Sequence, residues 1–146
     1  MEFNISPLDN RYKNKCDLLR EYVSDFGFNK IRYEVELKYF EFLLDTLYKK
    51  QVSFNKLINE FSIEDLQSIR EIESRTNHDV KSIEYFIKNQ LESKDEFKNI
   101  VKYKELVHFA LTSQDINSVS NTLLLKRSIE IVLIPKIKSI ISILLN

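Results

Sequence analysis

The sequence is poor in the residues that interrupt helices. Its 146 residues include one glycine and two prolines, far below the usual share of about 7% glycine and 5% proline. Leucine, isoleucine, lysine and glutamate are abundant instead. This composition predicts an all-α fold built from long helices, with little or no sheet.

Disulfides, an excess of one charge and long apolar runs are also missing. Cys16 is the only cysteine, so no disulfide can form within the chain, and a reducing, cytoplasmic compartment is expected. Basic and acidic residues number 22 each, so nothing indicates nucleic acid or an anionic membrane as a partner. The chain has no run of about 18 uncharged apolar residues, which argues against a membrane span. We also expect no signal peptide, because the N-terminus has no apolar core.

Apolar residues recur at helical spacing over three long stretches. The periodicity predicts helices over residues 31–50, 77–91 and 117–145. The last of these is apolar nearly all round toward its end, which predicts that it is buried against other helices. Pro135 is expected to kink it or to remove a backbone hydrogen bond.

Shorter helices are predicted from caps and breakers. A helix over residues 13–24 is expected to end near Gly27, a natural C-cap. Ser62, with Asp65 three residues later, predicts a capping box at the start of another helix. Residues 103–111 are expected to be helical as well.

The most informative stretch covers residues 75–86 and reads Arg-Thr-Asn-His-Asp-Val-Lys-Ser-Ile-Glu-Tyr-Phe. Thr76 is predicted to N-cap a helix, with Asp79 as its capping-box partner. His78 would then lie in the first turn, where unpaired N–H groups favour an anionic ligand and a neutral imidazole. Such a histidine, beside Asn77, is suited to orienting a polar substrate. A capped surface helix is the more frequent explanation of the same pattern.

Two other stretches carry groups suited to anions. Residues 6–12 read Ser-Pro-Leu-Asp-Asn-Arg-Tyr, a turn followed by Arg11, whose fork suits phosphate, and Tyr12, which adds a hydroxyl donor. Residues 108–117 read His-Phe-Ala-Leu-Thr-Ser-Gln-Asp-Ile-Asn. Thr112 or Ser113 is expected to cap the helix that follows and to present a hydroxyl to a carboxylate. An ordinary surface arginine and an ordinary cap are the more frequent explanations.

His108 precedes Thr112 by one helical turn. With no second ligand at a suitable spacing, a metal site is not expected, and the default is a histidine that is packed or hydrogen-bonded in the core.

These three stretches, in this order, closely resemble segments of adenylosuccinate lyase, a member of the fumarase/aspartase superfamily. The resemblance covers nearly the whole chain. It departs from the family at Asn10, where the family usually has glycine, although asparagine tolerates the left-handed conformation better than most residues.

The resemblance implies a function and an assembly. Adenylosuccinate lyases are all-helical homotetramers that need no metal and no organic cofactor. They eliminate fumarate from a small nucleotide substrate, either adenylosuccinate, which gives AMP, or the succinyl-carboxamide intermediate of de novo purine synthesis.

The resemblance also implies a substrate site. In that site Arg11 and Tyr12 would hold the phosphate, His78 would orient or polarise the substrate, and Thr112 and Ser113 would bind the succinyl part. The complete set of implied site residues is Arg11, Tyr12, Asn77, His78, Asp79, Thr112 and Ser113.

Family members are much longer than this sequence. Their catalytic acid, a later histidine, and their base, a serine on a mobile loop, are expected to lie in regions absent from these 146 residues. Residues 1–111 are therefore expected to form an N-terminal helical domain and residues 112–146 the truncated start of the central helical bundle. Two interpretations stay open: an adenylosuccinate lyase represented by a truncated or split chain, or a non-catalytic helical module for oligomerisation or nucleotide binding.

Overall fold

The described part of the chain is helical. A computed structural model describes residue 8 and residues 11–145, and within these residues it contains no strand. The prediction of an all-α fold is confirmed. Most of the turn predicted at residues 6–12 lies outside the described residues. The helices are α1 (Asp17–Val23), α2 (Asp25–Tyr48), α3 (Asn55–Asn59), α4 (Ile63–Thr76), α5 (Asp79–Ser93), α6 (Ser113–Arg127) and α7 (Ile134–Leu145).

Helix α2 lies at the centre of the fold. It contacts α1, α3, α4, α5 and α6. Tyr33, Leu37, Phe40 and Leu44 recur on one of its faces and are each at most 1% exposed. The predicted periodicity over residues 31–50 is confirmed, because this face forms one wall of the core.

The start of α2 corrects the role assigned to Gly27. This glycine lies in the first turn of α2 and does not end the preceding helix, which stops at Val23. Ser24 is extended and caps α2, with its Oγ 3.1 Å from the Gly27 N–H that donates to it. A Cβ on Gly27 would lie 2.3 Å from the Glu21 carbonyl oxygen and 2.4 Å from that of Tyr22. The glycine is therefore required because the start of α2 lies against the backbone at the end of α1.

Replacing this glycine is expected to destabilise the fold. In Gly27→Ala the backbone of α1 must move away, and overpacking of this kind costs about 1–3 kcal/mol. Helix propensity alone would favour alanine by about 1 kcal/mol. Urea unfolding of the variant measures the balance, and a gain in stability would contradict the close approach.

Helices α4 and α5 pack against each other and against α2. The capping box at the start of α4 is confirmed: the Asp65 N–H donates to Ser62 Oγ at 3.3 Å, and the Ser62 N–H donates to the Asp65 carboxylate at 2.8 Å. The apolar residues at helical spacing on both helices are buried, namely Leu66, Ile69, Ile72, Val80, Ile83, Ile87 and Leu91.

The prediction of a helix over residues 103–111 is wrong. A 3-10 segment covers Val101–Leu106, and His108 and Ala110 then adopt left-handed conformations with φ of 62° and 59°. Two left-handed residues so close together cannot belong to a right-handed helix. The chain turns through them and reaches α6.

The C-terminal helical region is confirmed with an earlier start, at Ser113. Between α6 and α7 lies a π-helical segment, Ser128–Leu133, in which the Ile134 N–H bonds to the Ile129 carbonyl five residues earlier. The segment ends two residues before Pro135, which has no N–H to donate.

No residue of α7 is buried. The expectation that this end of the chain is buried against other helices is therefore not met within the described residues, since none of them covers α7. No described helix is both long enough and apolar enough to cross a membrane. Helix α6 packs along α2, and the division into residues 1–111 and 112–146 stays a prediction.

Candidate functional site

The candidate site lies where α4 ends and where α5 and α6 begin. Asn77 adopts the left-handed conformation (φ 51°), and its N–H donates to the Glu73 carbonyl at 2.7 Å. His78 is extended and is itself the N-cap of α5, since its Nδ1 accepts the Lys81 N–H at 3.1 Å. The chain thus passes from one helix into the next through two residues.

This geometry corrects the prediction for Thr76. Thr76 is the last residue of α4, and its hydroxyl donates to the Ile72 carbonyl at 3.1 Å. It cannot cap α5, because the left-handed Asn77 separates the two helices. His78 consequently lies before the first turn of α5 and uses its own ring as the capping group.

The cap determines the tautomer of His78. Because Nδ1 accepts a backbone N–H, the neutral ring carries its proton on Nε2. That Nε2 lies 3.4 Å from Ser113 Oγ. The side chain of His78 is 48% exposed, so the contact between the imidazole and the hydroxyl is accessible to a ligand.

Ser113 is the first residue of α6, and Thr112 is its N-cap. The predicted cap is confirmed, with the Thr112 N–H donating to the Asp115 carboxylate at 2.8 Å. The contact between His78 and Ser113 therefore joins the N-terminal ends of α5 and α6. Helix N-termini carry unpaired N–H groups and a partial positive charge, which favours an anionic ligand.

Sequence reasoning missed Arg32 of α2, which is 7% exposed. Its Nη2 donates to the Asp79 carboxylate at 2.6 Å, and its Nε and Nη2 both donate to Asn117 Oδ1, at 2.9 and 2.6 Å. The guanidinium carbon lies 4.0 Å from the centre of the Phe28 ring. Although partial burial opposes the effect, the Val80 N–H and the Arg32 guanidinium lower the pKa of Asp79, so this carboxylate is an ionised partner of Arg32.

Glu36, one turn after Arg32, was also missed. It is fully buried, and its Oε1 lies 2.5 Å from His108 Nδ1. Burial raises the pKa of the Glu36 carboxyl, and the neighbouring His108 opposes this rise. His108 is thus hydrogen-bonded in the core, as expected. The only sequence signal for this pair of missed residues was two opposite charges at an i, i+4 spacing beside the apolar face of α2.

Arg11 and Tyr12 are both exposed, and the Arg11 guanidinium carbon lies 5.3 Å from the centre of the Tyr12 ring. No hydrogen bond or ion pair among the described residues joins either of them to His78 or Ser113. The structure thus brings together the second and third predicted stretches through His78 and Ser113. Within the described residues, no group of three or more His, Cys, Asp and Glu side chains could hold a metal ion.

Comparison with known proteins gives the class of this chain. A protein-family model described as "Lyase" matches residues 43–146. The chain therefore belongs to this lyase family.

Curated adenylosuccinate lyases are similar to nearly the whole chain. The protein of Buchnera aphidicola subsp. Acyrthosiphon pisum is 36% identical over 94% of this chain, and that of Legionella pneumophila strain Corby is 38% identical over 93%. The Escherichia coli K12 protein is 36% identical over 90%. The match covers 32%, 31% and 30% of these three relatives, so the chain spans about a third of their length. The resemblance to an N-terminal portion of adenylosuccinate lyase is confirmed.

Proposed function

We propose that this chain forms the N-terminal part of an adenylosuccinate lyase and supplies substrate-binding groups for the elimination of fumarate. The substrates would be adenylosuccinate, which gives AMP, and the succinyl-carboxamide intermediate of purine synthesis. The observation that carries the proposal is the 3.4 Å contact between His78 and Ser113. These residues are 35 positions apart. His78 caps α5 and Ser113 begins α6, and each lies in a stretch that resembles the family.

The arrangement suits the chemistry of the reaction. A β-elimination needs a base at carbon, an acid at the leaving nitrogen and stabilisation of a carbanion next to a carboxylate. The Nε2–H of His78 and the Ser113 hydroxyl are donors 3.4 Å apart, and Ser113 is the first residue of α6, whose N-terminus carries unpaired N–H groups. They would bind a carboxylate of the succinyl group, with Thr112 and Asn77 at the edges of the same region.

Other predicted residues have less direct roles in this proposal. Asp79 would act through Arg32, because its carboxylate is already bound to that guanidinium. Arg11 and Tyr12, exposed and adjacent, would hold the substrate phosphate, for which a planar guanidinium fork is well suited. The assembly would be a homotetramer in the cytoplasm, as the resemblance implies.

A second candidate is a non-catalytic helical module for oligomerisation or nucleotide binding. The exposure of α7 favours the oligomerisation role, because a helix with Ile140, Ile143 and Leu144 at least 57% exposed presents an apolar surface to a partner.

Fumarate release distinguishes the two candidates. We expect a polypeptide of these 146 residues to show no enzymatic turnover alone, because general acid and base groups each contribute about 10²–10⁴-fold. We expect activity when a second polypeptide supplies the remaining two thirds of an adenylosuccinate lyase. In that mixture His78→Ala and Ser113→Ala should each abolish most of the activity.

Ser118→Ala is the matched control, because this exposed serine lies on α6 away from His78. It should leave activity unchanged. Turnover by the 146-residue polypeptide alone, abolished by His78→Ala, would overturn the assignment of a binding role. Absence of turnover in every mixture would favour the non-catalytic module.

A further inference from the structure

We propose that Arg32 and Glu36 of α2 are positioning residues that hold His78 and Ser113 in contact. Neither residue contacts His78 or Ser113 directly. Arg32 binds one residue near each of them, and Glu36 binds a residue of the segment that leads to Ser113. The inference deepens the proposed function and rests on it for its catalytic consequence, but its structural part stands on contacts within this chain.

Arg32 joins the two helix starts directly. Its carboxylate partner, Asp79, follows His78, and its amide partner, Asn117, lies one turn after Ser113 on α6. One planar guanidinium thus links α5 to α6 through α2, with three hydrogen bonds of 2.6–2.9 Å. A displaced guanidinium would release both helix starts at once.

Glu36 holds the segment that leads into α6. Its Oε1 binds His108 at 2.5 Å, and one turn further along α2 the Tyr39 hydroxyl donates to the Phe109 carbonyl at 3.1 Å. His108 and Ala110 are in left-handed conformations that L-residues avoid, so their backbone needs contacts that hold it. Through this segment Glu36 determines where Thr112 and Ser113 begin the helix.

The burial of the two residues makes their partners indispensable. Arg32 is 7% exposed and Glu36 is 0% exposed, and removing a partner leaves a buried polar group without its hydrogen bond, which costs the desolvation of that group. Glu84 of α5 is also buried and is bound by Lys81 and Lys88 at 2.7 and 3.0 Å, so this carboxylate has partners of its own.

The chain offers a direct probe, because His78 and His108 are its only histidines. In a polypeptide labelled with ¹⁵N-histidine, ring correlation spectra show one signal set for each ring, assigned with His78→Gln and His108→Gln. In Arg32→Met the His78 signals should move from the Nε2–H tautomer toward a mixture. In Glu36→Leu the His108 signals should move instead.

Conservative variants separate positioning from folding. Arg32→Lys keeps the charge and loses the fork, and Glu36→Gln keeps the size and loses the charge; each should produce a smaller movement of the same signals. Both variants also serve if Arg32→Met or Glu36→Leu fails to fold. The matched control is Glu34→Gln, which removes the charge and one of the two 2.7 Å bonds between α2 and Arg127 and should leave both rings unchanged.

In the complemented lyase, Arg32→Met should lower kcat by about 10²-fold with a smaller change in KM, because misplacement by about 1 Å costs that much without removing a binding group. Arg32→Lys should recover part of the rate, and Glu34→Gln should retain it. Unchanged ring signals in the folded Arg32 and Glu36 variants would overturn the positioning role. Altered ring signals, with no fumarate release by any mixture, would support positioning and reject the proposed function.

Discussion

A polypeptide of these 146 residues is expected to self-associate through α7. Its apolar side chains are largely exposed, and no described residue of the chain covers them: Ile137, Ile140, Ile141, Ile143, Leu144 and Leu145 are each at least 50% exposed. Burial of one such side chain contributes about 1.5–3 kcal/mol. Several of them together reach the roughly 8 kcal/mol of a micromolar complex even after the costs of association.

Sedimentation over a range of concentrations measures this association. Ile137, Ile141 and Leu144 lie on one stripe of α7, so a triple variant with lysine at each of them should be monomeric. A matched control carries the same added charge at exposed polar positions, as Gln51→Lys, Gln67→Lys and Ser93→Lys. It should associate like the unmodified chain. A monomer at high concentration without any substitution would instead indicate that the C-terminal helix folds back on the other helices.

The second large effect is expected in the core, where Phe40→Ala should cost about 3–5 kcal/mol of stability. Phe40 is 0% exposed, and its ring stacks on Phe54 with 5.5 Å between centroids. Phe54 in turn contacts the ring of Phe97 at 5.6 Å. Small domains have total stabilities of about 5–15 kcal/mol. The cavity left by the missing Phe40 ring would therefore leave a substantial fraction of the molecules unfolded.

Phe42→Ala is the matched control, because Phe42 lies on the same helix and is 59% exposed. Its loss should change stability by no more than about 0.5 kcal/mol. Urea unfolding should be measured in the triple lysine variant of α7, so that association does not add to the apparent stability. Equal losses in the two phenylalanine variants would contradict the position of the core.

Local patterns in the sequence predicted the features that depend on near neighbours. The capping box of Ser62 and Asp65 forms because both partners lie within one turn. The buried face of α2 follows from a spacing of three and four residues, which any helix of that sequence repeats. The residue types of the His78 and Ser113 stretches carried the family resemblance, although the sequence did not show that the two side chains meet.

Predictions failed where the packing of one segment on another determines the local conformation. Gly27 allows α2 to approach the end of the preceding helix, and residues 107–112 turn through two left-handed residues that Glu36 and Tyr39 hold from α2. The helix predicted in the His78 stretch forms. Its N-cap is His78 and not Thr76, because Asn77 adopts the left-handed conformation that ends α4.

The sequence by itself determined the helical class, most helix positions and the family of this chain, because periodicity and motifs are local and specific. Only the tertiary structure showed that α2 ties the two site segments together through Arg32 and Glu36. The physical reason is that a buried polar or charged group is stable only beside its hydrogen-bond partners. Those partners are Asp79, His108 and Asn117. They lie far from α2 in the sequence, so no local periodicity could pair them with Arg32 and Glu36.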